Sequence, residues 1–508
     1  MRLLKNSFLI LMVLLFLPLN LSAFCGFYVG GAGAEMFADA TQVVLLRDGT
    51  TTVLSMQNRY EGPLEDFAMV VPVKEIIMKN QVKTLAPSLF EKIDTLSSPR
   101  LVEYWEDDPC YPENNGLEAD FGGSSNNYYN NGSTNGAVVV QAQFEVGEYE
   151  ISVLSTTEAT ALETWLTSNG FALPQGAATY LEPYVQSGDF FFAAKVNTSK
   201  VTFDSEGKAV LSPLRFNFDS EDFQLPIRLG MINSNGKQDL IVYILGNEQR
   251  YELKNYPNVT VPTNIQVVDA VRNDFAAFYR SIFSRTVKEN PGAAITEYSW
   301  SASSCDPCPG PVTLTEEDFL TFGADVLPGD VYRDWVLTRI HLQYEKDQIG
   351  EDLIFKKADP IVGGRENYTE ENKLETESQS SSFNAFQARY IIRHPWEGLV
   401  ECEAPNFNIW GGIQTSSALS PNSVGGEVFG EEIEKIDELV IDNIPSIGLT
   451  AKGKPVVLDR PSGFGKNSGG TGDKKSASCS IMPGKGAIPF SLFFVLGFLF
   501  LRPFSKRK

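Results

Sequence analysis

Short β-rich runs broken by turn residues dominate the first half of the chain. Residues 41–47 and 50–57 are dense in Val, Leu and Thr and flank Asp48-Gly49, which predicts a hairpin. Residues 67–73 predict a further strand, with Pro72 placing it near an edge or a strand end. A helix is expected within residues 82–95, with Pro87 marking its true start. Residues 149–154 predict a strand that runs directly into a helix. Ser155 and Glu158 have capping-box spacing there, Leu162, Trp165 and Leu166 supply the buried face, and Asn169-Gly170 ends it. More strands are expected around residues 190–196, 214–218, 227–229, 239–245 and 251–253.

Helical periodicity takes over further along. Val268, Val271, Phe275, Phe278 and Ile282 recur at alternating three- and four-residue steps, an amphipathic helix closed by Asn290-Pro291-Gly292. That stripe reads as core packing, not as a ligand box. Thr315 caps a short helix, and residues 335–344 and 388–393 predict strands. Residues 113–136 read as a long exposed loop and residues 370–382 as disordered, while residues 427–441 are mixed and acidic. The fold class is therefore α+β, mainly antiparallel sheets with a few amphipathic helices. Two domains are expected, an α+β part at 24–290 and a β-rich part at 291–460, with the boundary near 290–312.

The two ends follow different rules. Arg2 and Lys5, the apolar run 8–17 and small residues at 21–23 predict a signal peptide over residues 1–23; an uncleaved membrane helix is the alternative. Residues 461–486 form a Gly/Ser/Lys linker that includes Cys479. An apolar segment, 487–501, and a basic end, 502–508, close the chain. As a helix that segment spans roughly 22 Å, short of a hydrocarbon core of about 30 Å. The basic end belongs on the cytoplasmic side, leaving the body outside. This layout resembles the Cys-containing C-terminal sorting tails of myxobacterial and related Gram-negative surface proteins, with Cys479 as the processed position; a plain membrane anchor is the other reading.

At 508 residues with net charge −22, the chain is large enough for a sizeable core and too acidic to favour nucleic acid or anionic lipid. Five body cysteines, Cys25, Cys110, Cys305, Cys308 and Cys402, are disulfide candidates, given export. Cys305 and Cys308 have C-x-x-C spacing, which leaves thiol redox chemistry and zinc binding open beside a structural bridge. The turn-forming residues Pro307, Pro309, Gly310 and Pro311 favour the bridge. Glu103, Glu106, Asp107 and Asp108 are the best weak candidates for a hard cation such as Ca²⁺, against a solvated acidic loop; Asp219, Glu221 and Asp222 are weaker still. The only two histidines are His341, inside the alternating strand 339–344, and His394, before Pro395-Trp396. With Cys402 they would make a Cys/His pair only if the fold gathered them.

The stretches FCGFYV at 24–29, VVLLRDGTTTVLSMQNRYEGPLEDFAMVVPV at 43–73 and SPRLVEYWEDDPC at 98–110 carry a family resemblance. It continues in 147–174, CDPCPGP at 305–311, RIHLQY at 339–344 and RHPWEGLVECEAP at 393–405. The chain resembles the bacterial family catalogued as domain of unknown function 2330. The resemblance implies an extracytoplasmic protein and no activity. Together these features lead to an exported, envelope-tethered protein with a binding or structural role. An extracytoplasmic hydrolase acting on polysaccharide or peptide and a thiol redox protein are the alternatives. The expected partners are the membrane, through the tail, and the export and sorting machinery.

Overall fold

The computed structural model describes residues 27–29, 37–61, 68–110, 139–169, 176–203, 209–230, 238–305, 312–328, 333–345, 348, 350–364, 375–408, 410 and 433–456. The signal segment 1–23, loop 113–136, linker 461–486, apolar segment 487–501 and basic end 502–508 lie outside them, as do Cys25, Cys308 and Cys479. No helix among the described residues is long and apolar enough to cross a membrane.

Four layers build the body. At its centre is an 11-stranded sheet whose middle runs Ala294–Ser301, Trp335–Tyr344, Gln238–Asn247, Phe37–Asp48, Thr51–Glu61, Leu214–Asp219. Alternation along these strands sends side chains to two faces, and here both faces are covered. Val43, Leu45, Val242, Ile244, Ile340 and Leu342 pack on a five-stranded sheet that contributes Met69, Val71, Ile151, Val153 and Phe192. Val44, Leu46, Ile241 and Leu245 point the other way, onto helices Pro87–Ser97 and Glu316–Phe322. Beyond the five-stranded sheet, helices Ala159–Ser168 and Ala177–Gln186 close the outer side through Leu162, Leu166, Leu181 and Tyr184. The Val/Ile/Leu runs in this sequence are continuous, not alternating, because their strands sit in the two inner layers.

The hairpin forms as expected, as Phe37–Asp48 against Thr51–Glu61, with Gly49 at φ +54° supplying the left-handed turn residue. Helix Pro87–Ser97 starts with its proline in the first turn, although Val82–Thr84 just before it is a strand. Pro72 pairs with Phe191 on one side; Phe27–Val29 reaches only Ala68–Val70 on the other. Three local expectations need correcting. Ser155 ends its strand and its hydroxyl accepts Gln141 from the next strand at 2.9 Å, so no capping box forms and the helix begins at Ala159. Residues 227–229 form a turn because Asp352 Oδ1 accepts the amides of Ile227 and Arg228 that a neighbouring strand would have taken. Within 370–382, Gln379–Ser380 is a short strand paired with Ile361–Val362.

The amphipathic stripe that starts at Val268 splits. Asp269–Asp274 is a 3₁₀ turn, and the helix proper is Phe275–Glu289, with the Asp274 carboxylate accepting the Ala277 amide at 3.0 Å. Its face buries Phe275, Phe278, Ile282 and Phe283 against Tyr390, Ile392 and Ile295. A separate three-stranded sheet, all parallel, runs Ile265–Gln266, Arg389–His394, Arg100–Trp105. Strands from both sides of residue 290 share the 11-stranded sheet, and all described residues fall within the unit Met1–Asp459.

Gly323 ends helix Glu316–Phe322 at φ +131°, where a β-carbon would lie 2.5 Å from Val53 Cγ1 of the hairpin. Gly292 has φ +71° with nothing within 4 Å. Gly323→Ala therefore combines backbone strain with overpacking and is expected to cost about 1–3 kcal/mol more than Gly292→Ala. Urea unfolding of the two variants measures the difference.

Candidate functional site

Arg339, His341 and Gln343 share one face of strand Trp335–Tyr344, the face under helix Phe275–Glu289. On the adjacent strand Tyr243 sits opposite Arg339, and Asp239 opposite Gln343. On the other side, pairing slips by one residue: Thr296 faces Ile340 and Tyr298 faces Arg339, leaving Glu297 as the extra residue of a β-bulge. The bulge delivers the Glu297 carboxylate between the two cationic side chains. Its Oε2 accepts from Arg339 Nε at 2.5 Å, and its Oε1 accepts from His341 Nδ1 at 2.9 Å and from the Tyr279 hydroxyl. His341 Nε2 lies 3.3 Å from Asp239 Oδ1, and the ring stacks on Phe283 at 4.0 Å. Arg339 also donates to Asp94, which accepts the Tyr243 hydroxyl at 2.6 Å.

Arg339, Glu297, His341 and Asp239 have no solvent exposure at all. Burial alone would depress the His341 pKa, but the Glu297 charge and the hydrogen bonds to Asp239 and Glu297 outweigh it and raise it to about 9. Burial alone would raise the Glu297 pKa; His341 and Arg339 reverse that and lower it to about 2. The result is a desolvated ionic cluster with both imidazole nitrogens committed. Such a histidine is closed to solvent.

His394 is placed differently, at the C-terminal end of the parallel strands. Its Nε2 lies 2.6 Å from Glu103 Oε2, and Arg272 Nε donates to Glu103 Oε1 at 3.0 Å. Nε2 is therefore the ring nitrogen turned to Glu103, and Arg272 Nη2 lies 3.3 Å from it as well. The side chain is 26 % exposed and stacks on Trp105, with ring centroids 4.7 Å apart. The two histidines thus lie in different sheets, His341 between Glu297 and Asp239 and His394 beside Glu103.

The candidate cation ligands have other partners. Glu103 holds Arg272 and His394; Glu106 accepts the amides of Trp396 at 2.9 Å and of Asn408; Asp108 accepts the Cys110 amide at 2.9 Å. Asp107 lies between Glu106 and Asp108 in the chain and is partly buried. In the weaker cluster, Asp219 accepts the Thr51 hydroxyl at 2.7 Å. No group of three His, Cys, Asp or Glu side chains among the described residues is arranged to hold a metal ion.

Cys110 and Cys402 form a disulfide, so Cys402 is no nucleophile for either histidine. Cys305 is also disulfide-bonded, and Arg100 Nη1 donates to its sulfur at 3.1 Å. Sequence reasoning missed Glu297, Asp239, Asp94, Arg339 and Arg272. Carboxylates inside apolar strand runs, Asp239 before LIVYIL and Glu297 in AITEYSW, were the available signal.

A family model described as "Uncharacterized protein conserved in bacteria (DUF2330)" matches residues 19–356. No curated protein and no solved structure matches the chain.

Removing one partner of a buried ion pair strands the other, so Glu297→Gln is expected to cost about 3–5 kcal/mol in urea unfolding. The pH dependence has a defined sign. The His341 pKa is raised, so its contribution is complete below about 6.5 and is lost as pH rises through about 9. The Glu297 pKa is depressed, so its contribution is complete above about 4.5 and is lost as pH falls toward about 2. Urea midpoints should fall from pH 6.5 to pH 9.5, and His341→Gln should flatten that fall.

Proposed function

We propose that this chain, which belongs to the uncharacterized bacterial family DUF2330, is an exported protein tethered at the cell surface or envelope, with a binding or structural role. The observation that carries the reading is the Cys110–Cys402 bridge, which joins positions 292 residues apart. Disulfides persist in oxidising compartments and are rare in the cytosol of ordinary bacteria. The bridge sits just past the ends of strands Arg100–Trp105 and Arg389–His394, and so fastens the rim of the parallel sheet. The signal-like and tail segments of the sequence support the same reading, with the apolar tail as membrane anchor or sorting signal and Cys479 at its junction.

The way the described reactive side chains are spent supports a non-enzymatic reading. His341 is sealed inside an ionic cluster, and Cys402 and Cys305 are bridged. One observation favours the hydrolase reading: His394 is partly exposed, with Nε2 held by Glu103. The arrangement matches the base half of a catalytic dyad. In our reading the stacked Trp105 and His394 rings form part of a recognition surface instead.

Expressed with its own N-terminus in a Gram-negative host, the protein should appear in the extracytoplasmic fraction. Non-reducing mass spectrometry should then find Cys110 joined to Cys402. Reduced cysteines in cytosolic material would contradict export. Cys402→Ser is expected to lower stability by about 2–5 kcal/mol. Purified body should turn over no polysaccharide or peptide on an envelope-substrate panel; turnover abolished by His394→Ala would establish the hydrolase instead.

A further inference from the structure

Arg100 is fully buried, and its guanidinium is held in one direction. Its Nη2 donates to the carbonyls of Thr95 and Leu96, at 3.0 and 2.6 Å, in the last turn of helix Pro87–Ser97. That anchorage leaves Nη1 on Cys305 Sγ, 3.1 Å away. Cys305 follows strand Ala294–Ser301, packs partly buried on the apolar cluster beneath the same helix, and is disulfide-bonded. The other bridge is built differently, since the sulfur of Cys110 accepts the backbone amide of Cys402, a neutral donor, at 3.3 Å. Positive charge beside a sulfur stabilises its thiolate, and the sulfur with the more stable thiolate leaves faster in thiol–disulfide exchange. The two bridges thus differ in the charge that meets their sulfurs.

We propose that Cys305 is a thiol–disulfide exchange site, opened by a dithiol reductant while Cys110–Cys402 stays closed. A thiolate of the reductant bonds to the sulfur paired with Cys305. The bond to Cys305 breaks, and its electron pair leaves on Cys305 Sγ as a thiolate that Arg100 Nη1 holds in a charge-assisted hydrogen bond. The reductant's second thiol then displaces the mixed disulfide. The reductant ends as a disulfide, two electrons pass to the chain, and of the two protons given up one goes to the second cysteine and one to solvent. Cys308, at C-x-x-C spacing, is the nearest cysteine in the sequence to supply the paired sulfur. This goes beyond the binding role, because the bridge becomes one of two states of Cys305. The site shares no residue with the Glu103–His394 cluster and does not depend on the tether.

The test equilibrates the purified full chain across ratios of reduced to oxidised dithiothreitol, traps thiols with iodoacetamide and assigns each cysteine by tandem mass spectrometry. Cys305 should be alkylated at a ratio at least about tenfold less reducing than the one that opens Cys110–Cys402. Once reduced, Cys305 should keep at pH 7 a share of its pH 10 alkylation rate at least about tenfold larger than N-acetylcysteine keeps, a comparison in which accessibility cancels. Arg100→Gln should shrink that share and draw the two opening ratios together, with circular dichroism checking the fold; the wild-type measurements decide the question if the variant does not fold. Both bridges opening together, Cys110–Cys402 opening first, or a retained share no larger than that of N-acetylcysteine overturns the proposal. So does a share unchanged in folded Arg100→Gln, or Cys305 recovered as a free thiol before any reductant is added.

Discussion

The contact on which the body depends is the Glu297 carboxylate wedged between Arg339 and His341 in a water-free layer. Desolvating a carboxylate and two cations costs several kcal/mol for each ion, which close pairing and hydrogen bonding between them offset. Here the pairing is built by a covalent detail of the sheet. One extra residue in strand Ala294–Ser301 displaces Glu297 out of the ladder and onto its two partners. The Ala388 amide donates to the Glu297 carbonyl at 2.9 Å, so the bulge also sets where the next segment joins. Tyr279 ties helix Phe275–Glu289 to the same carboxylate, and Asp94 ties helix Pro87–Ser97 to the same arginine. Two helices and three strands thus meet on one ion cluster. An apolar core of equal volume would bury more cheaply but would not fix which helix lies over which strand.

The same geometry separates the parts of the protein that hold from the parts that can act. Apolar side chains on both faces of the central strands make the inner sheets stable and chemically silent. His394 stands at the end of the parallel sheet, partly exposed, and Gln343 where strand Trp335–Tyr344 leaves the core. Ligand sites at strand ends are a general consequence of layered folds, because only there do loops and side chains open to solvent.

Much of the layering was legible in the sequence. The Asp48-Gly49 turn, the proline start at Pro87, the Thr315 cap and the Phe275–Ile282 part of the stripe that starts at Val268 are local signals, and each appears in the fold. The misread features were those decided by distant groups. Ser155 looked like a helix cap until Gln141 of a neighbouring strand took its hydroxyl, and Asp352 captured the amides of residues 227–228 from far along the chain. The ionic cluster was invisible for the same reason. Arg339-Ile340-His341-Leu342-Gln343 alternates like a strand with one wet face, and nothing local says that a helix closes over it. Its partners Asp94, Asp239 and Glu297 come from three separate elements. Similarly, both histidines were visible as candidates, but only the fold assigns one to the core and the other to the surface.

The central claim, that His341 is a sealed cationic partner of Glu297 and not a reactive group, is open to direct measurement by NMR of ¹⁵N-histidine-labelled protein across pH 5–10. Two imidazoles report, and His394→Gln assigns them. His341 should keep both nitrogens protonated through neutral pH, titrate only near pH 9, and resist diethylpyrocarbonate until the protein unfolds. A His341 ring that titrates near its ordinary value of 6.5, or that reacts in the folded state, would contradict it.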